Sequence, residues 1–302
     1  MSGQEKVNKM NKYITIAGRQ IGQDFPPYVI AELSANHNGK IENALKLIEE
    51  AKIAGADAIK LQTYTADTIT LNSDSEDFQI KGGLWDGKTL YNLYKEAAMP
   101  WEWHKTLFEK AAEVGITIFS SPFDSTAVDL LEELNAPAYK IASFEAIDLP
   151  LIRYVASTGK PMIISTGMAD AEEIQEAIDA ARSAGCKELA ILHCVSGYPA
   201  PAEDYNLRTI SDMIQQHNLV TGLSDHTLDN TTAITSIALG AAIVEKHFTL
   251  NRSGGGPDDS FSLEPVEMQQ LCRGVKTAWS ALGNVDYGRK SSEQGNVQFR
   301  RS

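Results

Sequence analysis

The end of a predicted helix and the buried strand that directly follows it are found in the stretch Gly55-Ala56-Asp57-Ala58-Ile59-Lys60-Leu61-Gln62-Thr63. Before this stretch, apolar residues recur at helical spacing from Ile41 to Ala54, and Gly55 then stops the helix. After the glycine, Ala58 to Thr63 form a short and largely apolar run, as expected of a strand buried on both faces. The stretch predicts the helix–glycine–strand junction of an α/β protein.

The same alternation of strand and helix patterns continues almost from end to end of the chain. It predicts eight strands, at Tyr28–Leu33, Ala58–Thr63, Thr117–Pro122, Ala138–Ser143, Met162–Thr166, Leu189–Val195, Val220–Asp225 and Ala242–Phe248. Strictly alternating units imply a parallel sheet, and eight of them in 302 residues favour a closed (β/α)8 TIM barrel. No Gly-x-Gly-x-x-Gly follows the first strand, which argues against a dinucleotide-binding fold.

The helices between these strands have readable ends. Asp124 is a predicted N-cap for Ser125–Asn135, and Asp170 with Glu173 forms a capping-box-like start for Ala171–Ala184. The last helix is predicted at Pro265–Leu282, before Gly283.

Three domain segments follow from this pattern. Residues 1–26 form an N-terminal extension whose hairpin, Tyr13–Gln23, turns at Gly18-Arg19 and plugs the bottom of the barrel. Residues 27–286 are the catalytic barrel, and residues 287–302 are a polar linker tail. The long insertion Tyr64–Pro100 after the second strand is expected to cover or shape the active site.

Composition narrows the class of protein. The chain is 43% apolar with a formal net charge of −13, so we expect a packed core and no attraction to nucleic acid or to an anionic membrane. It has three cysteines, no signal-peptide run and no apolar stretch of membrane-spanning length, which indicates a reducing, cytoplasmic location.

Polar side chains interrupt the apolar strands near their carboxyl ends, where a barrel of this kind builds its active site. They are Glu32, Lys60, Gln62, Ser121, Lys140, Ser143, Glu145, Ser165, Ser196, Tyr198, Ser224, His226 and His247. Taken singly, a lysine can extend to solvent, a serine can cap the next helix and a histidine can be a hydrogen-bonded core residue. Taken together, they predict one catalytic rim.

The residue types suggest a specific chemistry. Lys60 and Lys140, with the hydroxyls of Ser121, Ser143, Ser165 and Ser224, could neutralise a carboxylate and a phosphate. His226 and His247 lie on the adjacent seventh and eighth strands and suit a divalent metal acting as a Lewis acid. Glu32 remains as the candidate acid or base.

These residues also carry a resemblance to the sialic acid synthase family, which spans about Tyr28 to Arg301. The matching segments are Ile30–Gly39, Gly55–Thr63, Ser121–Asp124, Ala138–Ser143, Ser165–Met168, Gly222–Thr227, Glu245–Thr249 and Gly255–Asp258. The resemblance implies a condensation of phosphoenolpyruvate (PEP) with an open-chain N-acetylated amino sugar. The products would be a nine-carbon 2-keto acid and phosphate, with no covalent enzyme intermediate.

By the same resemblance, Lys60, Ser121 and Lys140 hold the PEP carboxylate end, while Ser143, Ser165, Ser196 and Ser224 surround its phosphate. His226 and His247 match a metal-binding pair for Mn²⁺, Mg²⁺ or Co²⁺. Glu32 matches a carboxylate near the reacting carbons. The remaining substrate-binding positions are Gln62, Glu145, Tyr198 and Asp258.

The pseudaminic acid synthase branch is indicated by Leu33–Asn36, Leu61–Thr68, Gly83–Gly87 and Ala142–Glu145. The N-acetylneuraminate and legionaminic acid branches are the alternatives. The stretch His193–Gly197 departs from the Cys-Thr-Ser pattern of the family. Members usually continue past Arg300-Arg301-Ser302 into a small antifreeze-like domain that completes the partner's sugar site in a homodimer. Without it, we expect a barrel that binds PEP and metal but is weak towards the sugar.

Three rival functions stay open on the residues alone. A Schiff-base aldolase would use Lys140 or Lys60 with a lowered pKa. A different PEP-condensing barrel would make an eight-carbon keto-deoxy acid from a phosphorylated sugar. A barrel that only binds its ligand would release no phosphate. Of the other histidines, His104 and His217 are predicted to be structural or surface residues, and His37, on the rim, could touch substrate.

Overall fold

The computed structural model describes residues 13–301. A two-stranded antiparallel hairpin precedes eight parallel strands that close into a barrel in the order β10-β3-β4-β5-β6-β7-β8-β9. The hairpin strands are β1 (Ile14–Ile16) and β2 (Arg19–Ile21). The barrel strands are β3 (Tyr28–Glu32), β4 (Ala58–Thr63), β5 (Thr117–Pro122), β6 (Tyr139–Ile141), β7 (Met162–Ser165), β8 (Leu189–Cys194), β9 (Val220–Asp225) and β10 (Ile243–His247). The predicted TIM barrel is confirmed.

The helices surround the barrel. They are α1 (Ile41–Ala54), α2 (Ala66–Ile69), α3 (Leu90–Ala97), α4 (His104–Val114), α5 (Ser125–Glu133), α6 (Leu149–Ser157), α7 (Ala171–Ser183), α8 (Arg208–His217), α9 (Thr231–Ala238) and α10 (Pro265–Leu282). Asp124 caps α5 and Asp170 with Glu173 forms a capping box on α7, as predicted. Gly55 takes the left-handed conformation, φ +90°, that ends α1.

Alternation of side chains along the strands divides the apolar core into an inner and an outer part. Outward residues such as Val29 and Ile59 pack against α1 and α10, and Tyr139 and Ile164 pack against α5, α6 and α7. Inward residues near the amino ends of the strands form a separate cluster that includes Ile30. The inner face is thus apolar at the bottom and free to carry polar groups at the top.

The hairpin closes the bottom of the barrel, as predicted. Ile14, Ile16 and Ile21 are buried in the same cluster as Tyr28 and Phe119 at the lower end of the barrel interior. The predicted turn was wrong by one residue: it lies at Ala17-Gly18, both with positive φ, and Arg19 already belongs to β2. This turn matches the right-handed twist of the strands.

Two further segments lie outside the repeat. The insertion 64–100 contains α2, a 3-10 turn at Glu76–Phe78 and α3. The polar tail contains an exposed 3-10 segment at Ser291–Phe299, with no buried residue among those described. No helix within residues 13–301 is both long and apolar enough to span a membrane.

Candidate active site

The upper half of the barrel interior is lined by buried polar side chains. Glu32, Lys60, Ser121, Lys140, Ser165, Ser224, Glu245 and His247 lie at or near the carboxyl ends of their strands and are buried. An unpaired charge in such a place would be costly, so the partners of each group determine what the site can do.

Four charged groups form one network in the barrel interior. Lys140 Nζ donates to both oxygens of Glu245, at 2.8 and 2.9 Å, and Lys60 Nζ is ion-paired with Glu32. Lys60 Nζ also lies 3.9 Å from Glu245 Oε1 and donates to Ser121 Oγ at 3.2 Å. Two buried cations are therefore balanced by two buried carboxylates.

The network shifts the protonation of its members in opposite directions. Burial, with the charge of Glu245, raises the pKa of Glu32 to about 7 despite the nearby Lys60. Burial also disfavours the charged form of Glu245. The positive charges of Lys140 and Lys60 outweigh this effect of burial, so the pKa of Glu245 is lowered. Burial lowers the pKa of Lys140, whereas Glu245 and Glu32 outweigh burial and raise the pKa of Lys60. Of the two carboxyls in this network, Glu32 is thus the one that can exchange a proton near neutral pH.

A group of hydroxyls lies beside these lysines. Ser165 Oγ and Ser196 Oγ are buried and have no hydrogen-bond partner among the described residues. Ser143 Oγ accepts a hydrogen bond from the backbone N–H of Gly167 at 3.1 Å. An ideal Cβ on Gly167 would lie 2.7 Å from Ser143 Oγ and closer still to Ser196 Oγ. Because buried hydroxyls normally have partners, this pocket has the character of an anion site.

Two imidazoles meet on the other side of the rim. The ring centroids of His226 and His247 are 5.4 Å apart, and the ring of Tyr198 lies 4.4 Å from His226 and 6.1 Å from His247. Burial, then the positive charges of His226, Lys60 and Lys140, holds the pKa of His247 well below its usual value. Its ring is therefore neutral and can act as a ligand.

This pair fits a divalent cation. His226 Nδ1 donates to Val195 O at 2.7 Å, which orients the ring. Burial alone would lower the pKa of His226, but Cys194 outweighs burial and raises it, so a cation would have to displace a proton from this ring. His247 Nδ1 is buried and has no hydrogen-bond partner among the described residues, and it lies 3.9 Å from Asp258 Oδ2. Residues 13–301 contain no cluster of three or more such ligands. A cation held by two imidazoles would keep positions open for water or substrate.

The remaining predicted residues border the same space. Asp258 accepts hydrogen bonds from Ser34 Oγ and, at 3.5 Å, from the backbone N–H of Ala35. Gln62 lies beyond Lys60 on β4, in register with Ser121, and Ser224 Oγ contacts Glu245 Oε1 at 3.4 Å. Burial raises the pKa of Glu145 to about 7. Every predicted site residue thus lies at the carboxyl end of the barrel.

Some residues at the site were not among the predicted ones. Glu245 was seen only as the start of Glu245-Lys246-His247, and Gly167 and Cys194 only as parts of strand-end motifs. Two lysines buried inside a barrel need acidic partners, and this need is the signal that could have identified Glu245. His37, considered as a possible substrate contact, has both ring nitrogens in hydrogen-bonding contact with backbone, at Ala97 O and Gly39 N.

A second buried ion pair lies on the outer face of the barrel. Lys246 Nζ contacts Asp225 Oδ2 at 2.8 Å and Thr227 O at 2.6 Å. Asp225 Oδ1 also accepts from the N–H of Thr227 at 2.8 Å. The pair joins the carboxyl ends of β9 and β10. Asp225 directly precedes His226 and Lys246 directly precedes His247, so the pair helps to fix the positions of both histidines.

Comparison with known proteins agrees with this geometry. A family model described as the NeuB family matches residues 47–287. The chain is 46% identical over 286 residues to a pseudaminic acid synthase of Campylobacter jejuni, covering 94% of this chain and 83% of the relative. It is 45% identical over 261 residues to a pseudaminic acid synthase of Helicobacter pylori, covering 86% and 77%.

A solved structure matches over nearly the whole chain. It is the N-acetylneuraminic acid synthetase of Leptospira borgpetersenii in complex with citrate, which superposes with a TM-score of 0.84 at 30% identity. The match covers 97% of this chain and 98% of that one.

Proposed function

The chain belongs to the NeuB family, and from this premise we propose that it makes pseudaminic acid. The reaction joins PEP, water and 2,4-diacetamido-2,4,6-trideoxy-altropyranose into a nine-carbon 2-keto acid and releases phosphate. The observation that carries the proposal is that one rim brings together two buried lysines, a pair of imidazoles and buried hydroxyls that have no hydrogen-bond partner within residues 13–301. The identities of 46% and 45% to two pseudaminic acid synthases support this branch over the neuraminic acid branch.

PEP would lie across the lysines and the hydroxyls. Lys60, Lys140 and Ser121 would hold its carboxylate. Ser143, Ser165, Ser196 and Ser224 would surround its phosphate, and Gly167 lets the first and third of these side chains come close to its backbone. Hydroxyl and ammonium donors are typical partners of phosphate and carboxylate oxygens. Because both lysines are already ion-paired, substrate must share or replace their carboxylate partners.

His226 and His247 would hold a divalent cation, with Mn²⁺, Mg²⁺ and Co²⁺ as candidates, and when bound it would supply Lewis acidity to the aldehyde of the sugar. C3 of PEP forms the new carbon–carbon bond with the aldehyde carbon. Water then adds at C2, and the C2–O bond breaks to release phosphate. Glu32, with a pKa of about 7, is suited to take or give the proton of the water or of the new hydroxyl.

The cellular location of the enzyme can be inferred from its substrates and its thiols. PEP is a metabolite of the cytoplasm, and Cys186, Cys194 and Cys272 are all free thiols. We infer a cytoplasmic enzyme that forms a homodimer, as the family resemblance implies. The net charge of −13 argues against nucleic acid or an anionic membrane as partners.

The test is phosphate release from PEP with Mn²⁺ and each candidate acceptor: the altro-configured sugar, the legionaminic acid precursor, N-acetylmannosamine and a phosphorylated sugar. We expect release with the first, and a product whose mass and NMR spectrum are those of pseudaminic acid. His226→Ala and His247→Ala should abolish metal-stimulated release, while His217→Ala, on α8 away from the rim, should not. Metal-stimulated activity in both site variants, or trapping of a keto acid by borohydride on Lys140, would contradict the proposal.

A further inference from the structure

The insertion after β4 reaches across the mouth of the barrel through one side chain. Trp85 Nε1 donates a hydrogen bond to Pro257 O at 2.9 Å. Among the described residues, this is the hydrogen bond by which the segment 71–89 contacts the chain outside the insertion. Pro257 directly precedes Asp258, whose carboxylate lies 3.9 Å from His247 Nδ1. One indole therefore links the insertion to the wall of the active site.

The aromatic ring of Trp85 continues a row of tilted ring contacts that begins at the histidines. Its centroid lies 5.9 Å from that of Tyr198, and Tyr198 lies 4.4 Å from His226. Phe261 closes the other side, 5.4 Å from Tyr198 and 5.0 Å from His247. The wall above the histidine pair is thus aromatic, whereas the opposite side, around Ser143 and Gly167, is lined by hydroxyls and N–H groups.

The part of the insertion that carries Trp85, residues 80–88, is called the tip and forms a defined turn. Gly82, Gly83 and Gly87 all have positive φ, a conformation that side chains rarely adopt. Asp86 Oδ1 accepts from the N–H of Gly82 at 2.6 Å, and the N–H of Ile80 donates to Lys88 O at 2.9 Å. These bonds define the backbone on both sides of Trp85, and the bond from its Nε1 to Pro257 O holds the indole against the wall of the site.

We propose that Trp85 forms a specificity-determining wall of the acceptor subsite, where it contacts the apolar, N-acylated and deoxygenated face of the sugar. The inference rests on the proposed function. PEP and its phosphate occupy the lysine and hydroxyl side, so the acceptor must approach over the histidine pair and meet Tyr198 and Trp85. An indole face binds C–H and methyl groups well, but it offers a hydroxymethyl group no hydrogen-bond partner. The wall therefore favours a methyl over a hydroxymethyl at the end of the sugar.

Steady-state kinetics of three variants test this role. Trp85→Ala should raise the KM for the sugar about tenfold or more while the KM for PEP changes less than about twofold, as expected for loss of one apolar wall. Trp85→Phe keeps an aromatic face but loses the hydrogen bond to Pro257 O, and should raise the KM for the sugar about threefold. The matched control is Leu84→Ala, since Leu84 lies on the same tip and is 50% exposed. It should leave both KM values unchanged.

A second measurement determines the affinity of the acceptor subsite in the absence of turnover. The alditol of the sugar has no aldehyde and cannot react, so it can be titrated by calorimetry into metal- and PEP-loaded protein. Trp85→Ala should weaken its binding about tenfold, and should reduce the preference for the 6-deoxy alditol over its 6-hydroxy analogue.

The two proposals fail in different ways. Normal sugar affinity and normal discrimination in Trp85→Ala would overturn the role of Trp85 while the proposed reaction stands. An equal effect of Leu84→Ala would also overturn it, because the tip as a whole would then be responsible. Absence of phosphate release and of alditol binding in the unmodified protein would overturn the proposed function and this inference together.

Discussion

Removal of Lys140 separates the energetic role of the buried charges from their chemical role. Lys140 is 2% exposed and donates to both oxygens of Glu245, so Lys140→Met leaves a buried carboxylate without its main partner. Breaking such a pair from one side costs about 3 to 5 kcal/mol. Lys60 at 3.9 Å and Ser224 at 3.4 Å still face Glu245, which places the expected loss near the lower end, about 3 kcal/mol.

The double variant Lys140→Met/Glu245→Met gives the opposite expectation for stability. Both charges are gone, and apolar side chains of similar length fill the space, so its free energy of unfolding should lie within about 1 kcal/mol of the unmodified protein. Lys60 keeps Glu32 as its ion-pair partner. Neither variant should release phosphate, because both lack a cation that the proposed PEP site requires.

Urea unfolding of the metal-free and PEP-free proteins, followed by circular dichroism, measures both effects. At about 2 °C per kcal/mol for a chain of this size, Lys140→Met should also lower the Tm by about 6 °C. The control is Lys105→Met, which removes an exposed lysine 4.0 Å from Glu109 and should cost less than about 1 kcal/mol. A single variant as stable as the unmodified protein, or a double variant as unstable as the single one, would refute the reasoning.

Two further predictions concern the binding of PEP. Gly167→Ala places a methyl group 2.7 Å from Ser143 Oγ, so the KM for PEP should rise at least about tenfold with the fold intact. Gly295→Ala, in the exposed tail with nothing within 4 Å of its Cβ, is the control, and a similar rise in both would contradict this account. Because burial raises the pKa of Glu32 to about 7, a bound anion should raise it further and cause proton uptake at pH 7 to 8. Calorimetry in buffers of different ionisation enthalpy measures this uptake, and its persistence in Glu32→Gln would assign it to another group.

The fold was predictable because each unit of the chain carries its own pattern. Apolar runs, capping residues and terminal glycines placed β4, β5 and β9 to the residue, and α1 and α10 likewise. The site was predictable only in part. Lys140 and Glu245 are 105 residues apart and meet only because closure of the barrel brings inward residues of different strands together. Trp85 lies in the loop between α2 and α3, so its contact with Pro257 depends on the folding of a segment that sequence patterns do not specify.

The buried network also explains why PEP and a proton should bind together. Two lysines and two glutamates balance each other in the closed barrel, so an added anion would leave the site with excess negative charge. Glu245 cannot relieve this excess, because two lysines lower its pKa. Glu32 can, since its pKa is already about 7, and its protonation would free Lys60 for the PEP carboxylate. Protonated Glu32, at the end of the first barrel strand, would then lie beside the reacting carbons as an acid, in line with the acid or base role predicted for this residue.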